Sequence, residues 1–138
     1  MAMIRHIAIY TNDPERLAAF YVEVFGMKRK LDNPAVEAAT DTGSAVWITD
    51  GYMDVALIHP ARADAPRGIN HFGFTLKPSE KATVYQNLIE HGSTPLKPPP
   101  NRPYVEDAAF DCDGNKFDLS SGLRMEEGIA LGEFAKAE

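Results

Sequence analysis

Cysteine is almost missing from this chain: Cys112 is its one thiol among 138 residues. No intramolecular disulfide is possible, so core burial must hold the fold, and the composition suits a reducing cytoplasm. Positive charge is also scarce. Fourteen Lys and Arg stand against twenty Asp and Glu, for a formal net charge of -6 at pH 7. Nucleic acid and anionic membrane surfaces select for clustered Lys and Arg, so this balance speaks against both as partners. Long apolar runs are lacking too. None approaches the ~20 residues of a membrane-spanning helix, and Met1 to Tyr10 shows no basic segment followed by an apolar stretch. The expectation is a cytoplasmic protein. What is present is ordinary globular material, 44% hydrophobic and 25% charged. It makes a single domain over 1–138, long enough to bury a core.

The sequence reads as two similar halves. Ile4 to Tyr10 is short, rich in Ile and bounded by a turn, which predicts a strand. Thr11-Asn12-Asp13-Pro14-Glu15 then opens a helix: Asn or Asp caps, Pro presets an early helical φ, and Glu suits the positive end. Leu17, Ala18, Phe20, Tyr21, Val24 and Phe25 recur at helical spacing, and Gly26 stops the helix. From Ile69 the pattern repeats. Ile69 to Leu76 alternates as a strand, Pro78-Ser79-Glu80 opens a helix with Ala82, Tyr85, Leu88 and Ile89 on its face, and Gly92 ends it. His6 matches His71 and Phe20 matches Tyr85 at an offset of about 65 residues, the mark of an internal duplication.

The segments after each helix also match in kind. Met27 to Asp32, Ser44 to Thr49 and Tyr52 to His59 are strand candidates, with Asp41-Thr42-Gly43 and Asp50-Gly51 as turns. Thr94 to Lys97, Tyr104 to Asp111 and Lys116 to Ser121 follow in the second half. Asp113-Gly114-Asn115 is a hairpin turn, and the prolines from Pro98 to Pro103 make an extended loop. Each half is β-α-β-β-β. The fold class is therefore α+β, with two tandem modules, about 1–60 and 68–122, and a tail over 123–138 that reads as a weak helix or a partly disordered segment.

Strand alternation decides which side chains share a face. His6 lies with Ala8 and Tyr10, and His71 with Gly73 and Thr75. On the last strand Phe117 and Leu119 form the helix-packed face, so Lys116, Asp118 and Ser120 point the other way. If a pseudo-twofold relates the halves, His6 and His71 are mates and Asp118 can join them. Two imidazoles and a carboxylate make a facial triad with open positions, suited to Fe, Mn, Zn, Ni or Co as divalent ions. A single strand histidine is more often structural than a ligand. It is the matched pair, completed by a carboxylate, that raises metal binding to an equal alternative.

These residues carry a resemblance. The chain resembles the vicinal oxygen chelate superfamily, which includes glyoxalase I, fosfomycin-resistance proteins, extradiol dioxygenases, methylmalonyl-CoA epimerase and bleomycin-binding proteins. The likeness runs from about Ile4 to Gly122. It rests on Ile4-Arg5-His6-Ile7-Ala8-Ile9, Asp13-Pro14-Glu15, Phe20-Tyr21 to Phe25-Gly26-Met27, Ile69 to Phe74, and Phe110 to Leu119. It implies a curved mixed sheet around a central cavity, usually a homodimer, and metal ligands at His6, His71 and Asp118, where the family normally has glutamate. It also implies a fourth-strand glutamate in glyoxalase I, which Val55-Ala56-Leu57-Ile58-His59 does not supply. The fosfomycin threonine is replaced by Ala8, and the place of the dioxygenase tyrosine acid holds Ala108.

Several other residues have weaker claims. Glu106 and Asp107 sit on one strand, and one of them should face the cavity, where a carboxylate could be a general base; a solvated strand edge is the simpler explanation of both. Tyr10, Trp47 and Tyr104 can line an aromatic pocket or pack a core. Arg5 and Arg102 can meet an anionic substrate, and His59 can ligate. Cys112 is expected to be a passive thiol, and His91 to cap a helix. The resulting expectation is a metal-dependent enzyme on a small organic substrate, a lyase, isomerase or dioxygenase. The alternative is a metal-free small-molecule-binding protein of bleomycin-resistance type.

Overall fold

The computed structural model describes residues 2–30, 45–98, 100 and 106–121. Its elements run β1 (Met3–Tyr10), α1 (Pro14–Phe25), β2 (Lys28–Arg29), β3 (Ala45–Thr49), β4 (Asp54–Ile58) and β5 (Gly68–Leu76). A 3-10 turn (Pro78–Glu80) then leads into α2 (Lys81–Glu90), followed by β6 (Asp107–Phe110) and β7 (Lys116–Ser121). The α+β class and the strand-helix repeat are as the sequence predicts. The Asp41-Thr42-Gly43 turn, Arg102, Tyr104 and the tail over 123–138 lie outside the described residues.

The chain divides into two compact units, one of His6–Asn70 and one of Met1–Arg5 with His71–Glu138. In the first unit the hydrogen-bonded order is β2-β3-β4-β1. β1 and β4 pair in parallel, His6 opposite Asp54 and Ala8 opposite Ala56, while β3 pairs antiparallel with β4 and places Trp47 opposite Ala56. Ile9, Val46, Ile48, Val55 and Leu57 point to one side and pack with Leu17, Ala18, Tyr21 and Val22 of α1. His6, Ala8, Trp47, Asp54 and Ala56 therefore occupy the opposite side.

Helix α1 begins and ends as its sequence dictates. The Asp13 carboxylate accepts from the Arg16 backbone N–H at 3.0 Å, Pro14 fills the first turn, and Gly26 closes the helix at φ 71°. Its buried stripe is narrower than expected. Phe20 and Val24 lie roughly 120–160° round the helix from Ala18 and face outward. Phe25 falls on the stripe's line but in the last turn, and is 67% exposed.

In the second unit the order is β1-β5-β7-β6, with Met3–Arg5 as the β1 contribution. β5 and β7 are parallel, with Gly73 opposite Asp118 and Thr75 opposite Ser120; β6 is antiparallel to β7, with Ala108 opposite Asp118. Phe72, Phe74, Leu76, Ala109, Phe117 and Leu119 form the core under Val84, Tyr85 and Leu88 of α2. Ala82 and Ile89, expected on that face, are exposed, and Val84 takes part instead. The strand expected over Thr94 to Lys97 is a single bridge, Leu96 to Ala108; Pro95 and Pro98 lack the N–H groups a longer ladder needs. At the β6–β7 turn Asp111 accepts from the N–H groups of Asp113 and Asn115, and Gly114 adopts φ 85°.

Truncation should therefore cost stability at the core and not along the outer side of α1. Ile48→Ala is expected to lose about 2–5 kcal/mol in urea unfolding, while Phe25→Ser should change stability by roughly 0.5 kcal/mol or less. Comparable losses for the two would overturn the stripe described above.

Candidate metal centre

The ladder of the second unit sorts its residues by parity. Alternate positions on β5 and β7 fill the core, and the intervening ones, His71, Gly73, Thr75, Asp118 and Ser120, share the other face. Asp118 stands directly opposite Gly73, which has no side chain to occupy the space between strands. The carboxylate reaches diagonally to His71 instead. His71 Nε2 and Asp118 Oδ2 are 3.0 Å apart, with side chains 10% and 15% exposed. Two donors bonded to one ion at about 2.0–2.2 Å and at right angles sit ~3.0 Å apart. The pair thus fits neighbouring coordination positions, and its imidazole and carboxylate are the ligand types a first-row divalent ion takes.

The first unit presents His6, 6% exposed, on the side of its ladder away from α1. The Trp47 ring stands edge-on to it, with centroids 5.9 Å apart. Trp47 is thus neighbour to a candidate ligand and outside the α1-packed core. Asp54, opposite His6 in register, pairs with Lys30 at 2.6 Å. His59 follows Ile58 beyond the end of β4.

The two units present different ligand sets at matched positions. Gly73, two residues past His71, faces Asp118; Ala8, two residues past His6, faces Ala56. Ala56 is the counterpart of Asp118 and carries no donor. The register thus accounts physically for one histidine on the first unit and a histidine with a carboxylate on the second.

The candidate bases separate. Asp107 lies on the helix-packed parity with Ala109: its carboxylate accepts from the Tyr85 hydroxyl at 2.5 Å and lies 3.6 Å from Lys81 Nζ. Ala108 takes the opposite parity, the one shared with Asp118, and Glu106 directly precedes the strand. Of the two, Asp107 is committed to α2. Burial first, then the bond and charge of Asp107, push the Tyr85 phenol well above its ordinary range. Sequence reading counted Tyr85 only as core; a tyrosine on a helix face within reach of a strand-start aspartate was the available signal. Arg5 alternates with His6 on β1, and its Nη1 is buried without a hydrogen-bond partner among the described residues. Cys112 is exposed in the hairpin turn. His91 bonds Asn87 O through Nδ1 at 2.8 Å at the end of α2, as a helix cap should. No described helix is long and apolar enough to cross a membrane.

Comparison with known proteins places the family and the fold. The sequence model of the Glyoxalase/Bleomycin resistance protein/Dioxygenase superfamily matches residues 3–119. The comparison with curated proteins gives no match. Among solved structures, a hypothetical protein from Bacillus halodurans C-125 superposes with TM-score 0.63 at 19% identity, over 88% of this chain and 95% of that one. Streptomyces coelicolor methylmalonyl-CoA epimerase, in complex with 2-nitronate-propionyl-CoA, gives 0.59 at 18% identity, over 86% and 96%. The methylmalonyl-CoA epimerase of Mycobacterium tuberculosis gives 0.59 at 13%, over 91% of each chain. At these identities the likeness is one of fold.

The Tyr85–Asp107 bond has a pH signature. A phenol with a raised folded-state value contributes stability that is fully present below about pH 10, the unfolded value, and is lost as pH rises through the folded one. Tyr85→Phe should remove from the ultraviolet titration a phenol that ionises above the ordinary tyrosine range. It should also flatten the loss of stability on the alkaline side. A missing phenol that titrates near pH 10 would show that the bond does not form.

Proposed function

Because the chain belongs to the Glyoxalase/Bleomycin resistance protein/Dioxygenase superfamily, we propose that it is a metal-dependent enzyme acting on a small organic substrate. The observation that carries the reading is the His71–Asp118 pair, 3.0 Å apart on a ladder face free of the helix core. His6, His71 and Asp118 are the proposed ligands of one divalent ion, Fe, Mn, Zn, Ni or Co. β1 supports the third ligand: it runs unbroken from Met3 to Tyr10, so His6 follows Arg5 in the same strand.

With Ala56 in place of a fourth donor, three protein ligands leave coordination positions open for two neighbouring substrate oxygens. The ion, when bound, supplies Lewis-acid stabilisation of an enolate or oxyanion. The chain's own residues do the rest. His71 and Asp118 hold the ligand geometry across the Gly73 gap. Glu106 is the proposed base that takes a proton from the carbon beside the chelated oxygen and returns it. Asp107 serves α2 and has no part in this step. This assigns the chemistry to proton transfer of lyase or isomerase type over ring-cleaving oxygenation, since Ala108 offers no acid opposite Asp118. We further read the protein as a cytoplasmic homodimer of a single two-module domain. Light scattering should then give about twice the 15.2 kDa of one chain.

One observation favours a metal-free binding protein: His71 and Asp118 already satisfy each other as an ion pair. Elemental analysis of tag-free, chelator-free protein separates the two readings. About one divalent ion per chain is expected, falling below roughly a tenth in His6→Ala, His71→Ala and Asp118→Ala, since each removes one of few ligands. No uptake by wild-type protein, even after incubation with each candidate ion, would leave the binding reading standing.

A further inference from the structure

Two hydroxyls on the face of His71 and Asp118 have no role in the scheme above. Thr75 and Ser120 are direct cross-strand partners on β5 and β7. They are 5% and 6% exposed, and among the described residues neither side chain makes a hydrogen bond. Neither oxygen is among the fully enclosed polar atoms that lack a partner, so each keeps an opening on this face and a donor free for a ligand. They lie two residues beyond Gly73 and Asp118, which along a strand is a displacement of about 6.6 Å.

We infer that Thr75 and Ser120 form a carboxylate-binding subsite that selects organic acids as substrates. This deepens the proposed function and rests on its metal site. Cross-strand neighbours hold their Cβ atoms roughly 4.5–5.5 Å apart, so two O–H groups can straddle one carboxylate, each donating to one oxygen. Hydrogen bonds to a charged acceptor in a buried setting are about twice as strong as neutral ones. The substrate class is then a small acid whose chelating oxygens and terminal carboxylate are separated by a short carbon chain.

Two probes isolate the terminal carboxylate. 2-Oxoglutarate and 2-oxopentanoate chelate a metal through the same 2-oxo acid group and share a five-carbon chain, and only the first carries a terminal carboxylate. Calorimetry on metal-loaded wild-type protein should show 2-oxoglutarate bound about ten-fold tighter or more. Thr75→Val with Ser120→Ala should abolish that preference and leave metal content and 2-oxopentanoate affinity unchanged. Thr75→Ser, which keeps the hydroxyl, should retain it. Thr75→Val alone should melt at or above the wild-type temperature, because its hydroxyl has no protein partner to lose. A preference that survives the double variant overturns the subsite. So does equal weakening of both probes, or a fall of more than about 5 °C in Thr75→Val, each of which marks a structural role. Wild-type protein that takes up no metal defeats the parent reading on its own. The two probes are then compared on metal-free protein, where a preference erased by the double variant upholds the subsite and no preference overturns it.

Discussion

The parallel register between β5 and β7 is the constraint on which the site depends. A strand's side chains alternate, so a slip by one residue would carry Asp118 into the core and Phe117 out of it. Four aromatic or aliphatic side chains, Phe72, Phe74, Phe117 and Leu119, hold the register by packing on one side. The polar face is a consequence of that packing. Gly73 adds the second element: placed opposite Asp118, it leaves room for the carboxylate to lean to His71. The hydrophobic effect thus fixes where the polar groups stand, although they contribute little to it.

The two modules show how a duplicated scaffold comes to carry an unequal set of donors. Both retain a histidine at the same strand position, and both pair that strand in parallel with the last strand of the module. At the matched position on that last strand one module has Asp118 and the other Ala56. The first unit builds the same ladder with alanine at that position, on the face away from α1. The ladder therefore forms in one unit without a carboxylate at that position.

Much of this was legible in the sequence. Period-two alternation placed His6, His71 and Asp118 on the correct parity, and Asp13, Pro14 and Gly26 marked both ends of α1. Three things were not legible, each for a physical reason. Register is a property of two strands, so the opposition of Asp118 to Gly73, and of Ala56 to Ala8, could not be read from either strand alone. The choice between Glu106 and Asp107 turned on where β6 begins, and adjacent residues have opposite parity by definition. The helix stripes were misjudged because apolar spacing does not say where the sheet ends: Phe25 keeps the angle of the stripe and overhangs, while Val84 packs from a position that spacing left out.

Energetics explains why the polar face is informative. A contact as shielded as that of His71 with Asp118 gives up hydration in making the bond, so it is weak evidence for stability. Its neighbours Thr75 and Ser120 make no side-chain hydrogen bond among the described residues, and their oxygens are not fully enclosed. The Tyr85–Asp107 pair makes the contrast: there the phenol and carboxylate satisfy each other against α2, and the arrangement ties helix to sheet. One face of the same ladder therefore ties its polar groups to α2, and the other carries two hydroxyls with no side-chain hydrogen bond among the described residues. Open hydroxyls beside a metal-competent pair are the physical ground for looking to this face for chemistry.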